Sequence, residues 1–389
     1  MKADAARPPR PVWAAGVVTM VLAGLAGLGI FLAKAPYGYD LWAYVLAARH
    51  LLAGEPLYAA QPEVPFGPYG EFHYAPPAAV PFALLAPLPF ELATALFIAL
   101  NVVIAAAIGA HLIRPMPREA RPWAAAAFVL FLPTILEISL GNLNLITVAL
   151  CLVAWSLRRQ APVAGTILAV AIGLKLLPLT LVLFYLAAGR ARIVAWTLAV
   201  GVVGLLVTAI VFARDFPAYV SMLLALKDSS WAADLIARTP PAEVAAILGS
   251  PVGRALLPVA AVGTAIFGGL AARRGARDET HLHHLALAFA PYLASFGLLW
   301  FPYLVTALPL MASTLHRVLL LPRAAMRGAL TVALALSWLL LQVVGERDDL
   351  VPIAAHLLGL LVLLAAAVAV LALPRREDVT RSATARATA

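Results

Sequence analysis

Residues 357–373 read LLGLLVLLAAAVAVLAL, an apolar run that contains no charged side chain. A helix rises about 1.5 Å per residue, so a run of this length crosses most of the hydrocarbon core of a bilayer. Comparable runs recur from end to end of the chain, as in TMVLAGLAGLGIFLA at residues 19–33. They do not alternate between apolar and polar residues as the strands of a membrane β-barrel do. The sequence therefore predicts an all-α protein that crosses a membrane repeatedly.

The composition of the whole chain indicates the same class. Of its 389 residues, 63% are hydrophobic and 12% are charged, which is more apolar surface than a soluble core of this length can bury. The net charge of +9 comes from short basic clusters between hydrophobic runs. Such clusters are typical of cytoplasmic loops, so no nucleic-acid partner is predicted. The single cysteine, Cys151, excludes an intramolecular disulfide.

The basic clusters also fix the predicted topology. With the N-terminus in the cytoplasm, alternation of sides places every strong basic cluster inside and gives about 12 transmembrane helices. The predicted location is the plasma (inner) membrane, with both termini cytoplasmic. The predicted organisation is a cytoplasmic tail at 1–11, a single integral membrane domain at 12–373 and a disordered cytoplasmic tail at 374–389. A cleaved signal peptide is disfavoured because the N-terminal apolar stretch has the length of a span.

One hydrophobic segment is too long for one span and needs a break. Basic residues flank both ends of residues 161–188, and two cytoplasmic flanks require an even number of crossings. The segment is therefore predicted to form two short helices that turn at Lys175 and Pro178. This turn is predicted to lie on the extracytoplasmic side.

Polar residues near the ends of membrane helices are the candidates for a functional site. Two long outer loops, at 36–78 and 213–250, are predicted to carry amphipathic helices such as LWAYVLAARHLL, which would lie at the interface with its apolar part in lipid. The polar residues predicted on the outer side are Asp40, Arg49, Glu71, His73, Tyr74, Glu137, Asn142, Asn144 and Lys175. Their shared side predicts one extracytoplasmic site built from several loops.

Asp40 has two compatible interpretations. It precedes an amphipathic helix, so it could cap the helix N-terminus. It also follows Tyr39 at a membrane surface, where partial desolvation raises the pKa of a carboxylate and makes it a better general base.

The basic and amide residues each have a functional and a structural interpretation. Arg49 could bind a phosphate or extend towards lipid headgroups. Lys175, flanked by leucines, needs a compensating partner, either an anionic lipid headgroup or Glu137. Asn142 and Asn144 suit sugar hydroxyls, or serve only as turn residues.

The histidine cluster is predicted not to bind a metal. His281, His283 and His284 begin a predicted span without companion acidic residues.

Five motifs in a fixed order resemble glycosyltransferase family 87, the polyprenyl-phosphate-mannose-dependent mannosyltransferases of the GT-C superfamily. They are YGYDLWAYVLAARHLLAGEPLY at 37–58, FHYAPPAAVPFALLAPLP at 72–89, Asn101, LGNLNLITVAL at 140–150 and AGTILAVAIGLKLLPLTLVLFYL at 164–186. The resemblance covers roughly residues 30–190 and continues beyond them by hydropathy only. Residues 293–310 depart from the family in carrying Trp300 and Tyr303 but no histidine.

The resemblance implies a GT-C-like fold and an inverting transfer of a hexose, usually mannose, on the extracytoplasmic side. The donor would be a polyprenyl-phosphate sugar, and the acceptor a lipid or glycan in the membrane. The resemblance gives Asp40 the role of catalytic base and Lys175 that of donor-phosphate ligand, to which Arg49 is added. Sugar and acceptor binding is predicted for Tyr39, His73, Tyr74, Glu137, Asn142 and Asn144. The donor carries its own leaving group, so no cofactor or metal is predicted.

Two alternatives remain open at this stage. A secondary transporter would also have about 12 spans with broken helices. Another polyprenyl-linked glycan polymerase or ligase would share the membrane and the lipid carrier. The two halves of the chain show no matching interruptions and the outer loops are long and amphipathic, which disfavours the transporter. Dependence of activity on Asp40 would separate the predicted transferase from a ligase that relies on arginines.

Overall fold

In a computed structural model the protein is described over residues 37–58, 72–228, 251–274, 282–288, 301–343 and 350–373. Every regular element in these ranges is helical. The α-helices are α1 (Tyr39–Ala53), α2 (Phe90–Ile113), α3 (Arg121–Val129), α4 (Leu132–Leu140), α5 (Asn144–Ser156), α6 (Ala161–Leu174), α7 (Thr180–Ala187), α8 (Ala191–Val211), α9 (Phe216–Asp228), α10 (Pro251–Arg274), α11 (Leu282–Ala286), α12 (Leu308–Leu319), α13 (Ala324–Leu340) and α14 (Leu350–Ala372). Short 3-10 helices occupy Pro76–Leu84, Leu177–Leu179 and Phe301–Ala307.

Three of the described helices are long and apolar enough to cross a bilayer. They are α2, α8 and the Ala354–Leu371 part of α14. The bent pair α3 and α4 makes a fourth if it counts as one span. The described part of the chain is therefore all-helical, as predicted, and carries three or four helices suited to a membrane. The total of about 12 spans stays a prediction. The first predicted span, at 12–33, and both predicted tails lie outside the described residues.

Helices α2 and α8 expose much of their apolar surface. Only 33% of the most apolar window of α2 and 22% of that of α8 is buried inside the protein. Val103 on α2 is 64% exposed and Ile210 on α8 is 76% exposed. A soluble protein rarely leaves such continuous apolar surface uncovered, whereas lipid tails cover it without cost.

Prolines account for the broken helices. The axes of α3 and α4 differ in direction by 48°, and Pro133 stands in the first turn of α4, where a missing backbone N–H is tolerated. Helix α6 ends before Lys175, whose backbone is extended (φ −155°, ψ 129°). Pro178 lies in the 3-10 helix that follows, and α7 then begins. This confirms two short helices with a break at Lys175 and Pro178.

Helix α1 is embedded in the protein rather than in lipid. Leu41 and Val45 are completely buried, and α1 packs against Pro76–Leu84 and α4. The expectation that these two side chains lie in lipid is wrong, because the protein itself covers that face. Leu52, near the end of the helix, is 63% exposed.

Candidate active site

Two glycines allow the start of α1 to touch the turn between α4 and α5. Gly38 has a left-handed backbone (φ 70°) and donates its N–H to the carbonyl of Ser139 at 2.8 Å. Gly141 also has a left-handed backbone (φ 71°), and a Cβ atom there would lie 2.8 Å from Cβ of Leu41. Any other residue at either position would be strained, and a side chain at position 141 would also push the two segments apart.

This contact yields a stability prediction. Gly141→Ala should destabilise the fold by about 1–3 kcal/mol, because it adds both backbone strain and a steric clash. Gly201→Ala is the matched control, since nothing lies within 4 Å of that Cβ position on α8, and alanine is favoured over glycine within a helix. Thermal unfolding midpoints in detergent would test this, and equal midpoints for the two variants would contradict it.

The glycine contact aligns three polar side chains from α1, the α4–α5 turn and the end of α6. Asn142 donates from Nδ2 to Oδ2 of Asp40 at 2.7 Å. Its carbonyl oxygen Oδ1 accepts from Nζ of Lys175 at 3.0 Å and from the backbone N–H of Leu143 at 2.6 Å. The amide therefore has one satisfactory orientation, with its NH₂ on the carboxylate and its oxygen on the ammonium.

Asp40 does not occupy the N-cap position of α1. Gly38 takes that position, and Asp40 lies in the first turn, where the helix dipole stabilises a negative charge. The carboxylate accepts its hydrogen bond from Asn142 at Oδ2. Within the described residues Oδ1 receives no hydrogen bond, which leaves one oxygen available.

The surroundings of Asp40 make it more basic than an ordinary aspartate. The side chain is 8% exposed, in a helix that is not one of the membrane-crossing helices. Burial raises the pKa of Asp40 to about 6, although the charge of Lys175 and the hydrogen bond from Asn142 both lower it. Such a carboxyl group is largely ionised at neutral pH and still binds a proton well.

Glu137 caps the N-terminus of α5. Its Oε1 accepts from the backbone N–H groups of Asn144 at 2.6 Å and Leu145 at 3.3 Å, and its Oε2 accepts from Nδ2 of Asn144 at 2.8 Å. Both residues are completely buried. Free amides and the helix dipole stabilise a carboxylate at such a position. Lys175, for which Glu137 was one expected partner, donates its hydrogen bond to Asn142.

Tyrosines surround the Lys175 ammonium. Nζ lies 4.1 Å from the ring centroid of Tyr303 and 5.9 Å from that of Tyr74, both within cation–π range. The Tyr74 hydroxyl is 2.9 Å from that of Tyr44, one helical turn after Asp40. Tyr58 donates from its hydroxyl to the Tyr74 carbonyl at 2.6 Å.

Tyr303 was not among the predicted site residues. It lies far from the other site residues in the chain, in the segment where the sequence departs from the family pattern. Only that departure pointed to it.

The other predicted residues lie around this group or apart from it. Tyr39 is buried beside Asp40 at the start of α1, and His73 is exposed. Arg49 donates from Nε to the carbonyl of Ala86 at 2.9 Å and from Nη2 to that of Leu88 at 3.0 Å. The guanidinium thus fastens α1 to the chain after Pro76–Leu84, and its role with the donor phosphate stays a prediction.

His283 connects helices in the interior. Its Nδ1 is 3.1 Å from Oγ of Ser313, and its Nε2 is 3.0 Å from the carbonyl of Ala367. His281 lies outside the described residues. Across the described ranges no group of three or more His, Cys, Asp or Glu residues is placed to hold a metal ion.

The chain matches the sequence model of a known protein family. The sequence model of glycosyltransferase family 87 matches residues 72–302. The match begins after Asp40 and includes Asn142 and Lys175. It continues well past residue 190, where the sequence resemblance was by hydropathy only. No curated protein and no solved structure matches the chain. Since the family match spans more than half of the 389 residues, the chain belongs to glycosyltransferase family 87 and is a membrane glycosyltransferase.

Proposed function

We propose that the enzyme transfers a hexose, mannose in the first instance, from a polyprenyl-phosphate sugar to a lipid or glycan acceptor on the extracytoplasmic side of the membrane. The observation that supports this most is the hydrogen-bonded chain from Asp40 through Asn142 to Lys175. It couples a buried carboxylate to a half-buried ammonium through one amide. These are the two groups that such a transfer requires.

Asp40 acts on the acceptor in this mechanism. Its free Oδ1 accepts the proton of the acceptor hydroxyl as that oxygen forms a bond to the anomeric carbon. The bond from the anomeric carbon to the phosphate oxygen breaks at the same time, and its electron pair leaves with polyprenyl phosphate. Attack opposite to the leaving group inverts the anomeric configuration, so a β-linked donor gives an α-linked product.

Lys175 acts on the leaving group. The departing phosphate gains negative charge, and an ammonium in a water-poor site stabilises that charge more strongly than it would in water. Asn142 binds both partners, so it holds the base and the cation at a fixed separation. Glu137 and Asn144 are placed to support the turn that carries Asn142, through the cap of α5.

The family membership favours transfer over the transporter alternative. A glycan polymerase or ligase that uses a polyprenyl carrier remains a related alternative. Its donor would be a lipid-linked oligosaccharide instead of a single sugar on polyprenyl phosphate.

The donor class can be tested directly. Purified enzyme in proteoliposomes would be given radiolabelled mannose on polyprenyl phosphate, the same sugar on a nucleoside diphosphate, or glucose on polyprenyl phosphate. The proposal expects label in a lipid or glycan product from the first donor and none from the nucleotide donor. Transfer from the nucleotide alone would overturn it, and the glucose arm decides the sugar.

The basicity of Asp40 predicts the pH dependence. The base must be ionised to act, so kcat/KM should be constant above the pKa and fall about tenfold per pH unit below it. Because burial raises the pKa of Asp40 to about 6, the acid limb should bend near that pH. A pH profile of kcat/KM would check this. A bend near 4, the ordinary value for an aspartate, would contradict the burial of the base.

A further inference from the structure

The ammonium of Lys175 is held from two directions. Asn142 accepts one of its hydrogen bonds at 3.0 Å, and the ring of Tyr303 lies 4.1 Å away, measured from its centroid. Tyr74 adds a second ring at 5.9 Å. An ammonium carries three N–H donors, so a donor remains for an anionic ligand after Asn142 is bound.

Tyr303 stands on a well-anchored segment. The 3-10 helix Phe301–Ala307 packs against α4 and α5, the helices on either side of the Asn142 turn. Leu304 and Val305 are completely buried. Thr306 donates from Oγ1 to the carbonyl of Tyr303 at 2.8 Å. The ring position is therefore set by the same helices that set the position of Asn142.

The contact between ring and ammonium matters because a lysine side chain is flexible. Its four-carbon chain loses rotamer freedom when the ammonium is fixed, and a ligand that has to fix it loses affinity. A tyrosine ring attracts a cation most strongly where water is excluded. A ring that fixes the ammonium before the donor arrives removes that cost.

We propose that Tyr303 is a positioning residue of the donor-phosphate site, whose ring holds the Lys175 ammonium ready for a polyprenyl phosphate. This role of Tyr303 rests on the proposed function. It means that a residue beyond position 190 contributes to the site. It also means that the aromatic ring of Tyr303, not its hydroxyl, is the group that contacts the ammonium.

The test compares Tyr303→Leu with Tyr303→Phe in the full chain. The leucine variant should raise both KM for the polyprenyl-phosphate sugar and Kd for polyprenyl phosphate about tenfold, with kcat changed by less than about threefold. The phenylalanine variant keeps the ring, so its KM for the donor, its Kd for polyprenyl phosphate and its kcat should stay within about twofold of wild type. Tyr185→Leu, which removes a ring that packs on Trp155 and Phe184, controls for the loss of a packed tyrosine ring away from Lys175.

A double-mutant comparison separates positioning from general packing. In a Lys175→Met background the ring has no cation to hold, so Tyr303→Leu should no longer change Kd for polyprenyl phosphate. A purely structural role would give the same loss in both backgrounds, and that result would overturn the inference. A loss in Tyr303→Phe equal to that in Tyr303→Leu would also overturn it, as would tighter binding in Tyr303→Leu.

The binding assay keeps this inference apart from the proposed reaction. If wild type transfers no sugar but binds polyprenyl phosphate in a way that depends on the Tyr303 ring, only the proposed reaction fails. If transfer occurs and the ring makes no difference, only the role of Tyr303 fails. No binding of polyprenyl phosphate by wild type would overturn both.

Discussion

Replacement of Asp40 by asparagine should lower kcat about 10³-fold while the protein still folds, because it removes the base and keeps the shape of the side chain. The asparagine side chain introduced at position 40 cannot accept the proton of the acceptor hydroxyl. The Asp40 carboxylate can, and burial raises its pKa to about 6. Asn142 would then meet a second amide at the 2.7 Å contact and could still form a hydrogen bond there. The loss should therefore appear in kcat more than in KM for the donor.

The measurement is transfer of radiolabelled mannose from polyprenyl-phosphate-mannose at matched protein levels. Glu55→Gln is the control: it makes the same chemical change just after α1, at a side chain that is 60% exposed and 3.7 Å from His50. Wild-type activity in the control and loss in Asp40→Asn would identify the base. Equal activity in both variants would remove Asp40 from the mechanism and favour a transferase that uses another group.

Replacement of Lys175 by methionine should lower kcat/KM for the donor about 10²–10³-fold, because the leaving phosphate loses the charge that stabilises it. Methionine keeps the unbranched shape and fits among the rings of Tyr303 and Tyr74. The change leaves the Asn142 oxygen with its bond from the Leu143 amide. Donor binding should weaken as well, which distinguishes this variant from Asp40→Asn.

Lys175→Arg is the informative partner variant. It keeps the positive charge but replaces a compact ammonium by a planar guanidinium, so activity should recover in part. Donor saturation curves and Kd values for polyprenyl phosphate would measure both variants. An unchanged Kd in Lys175→Met would show that the phosphate binds elsewhere, and Arg49 would then be the next cation to test.

The sequence predicted the placement of many elements closely. Prolines and basic flanks located the break at Lys175 correctly, because a proline removes a backbone donor and a charge fixes the side of the membrane. The helix after Asp40 was predicted within a residue or two of α1. The predicted lipid environment was wrong for Leu41 and Val45, which the protein buries. The sequence of an apolar helix face is the same whether protein or lipid covers it.

The candidate site was predicted as a set of residues on one side of the membrane and not as a geometry. Asp40, Asn142 and Lys175 were all named, yet nothing in the sequence distinguished Asn142 as the bridge from Asn144 as the partner of Glu137. The two amides are two residues apart, and only the turn after Gly141 sends them to different partners.

The sequence by itself determined the class of protein, since an apolar fraction of 63% with clustered basic residues permits little except a helical membrane protein. It also determined the family, through motifs that keep their order along the chain. Only the tertiary structure decided that Asn142 joins the Asp40 carboxylate to the Lys175 ammonium and that the Tyr303 ring lies against that ammonium. Hydropathy indicates whether a segment lies in lipid or in water, and local motifs indicate its backbone conformation. The close approach of α1, α6 and the segment at Tyr303 depends instead on how distant helices pack.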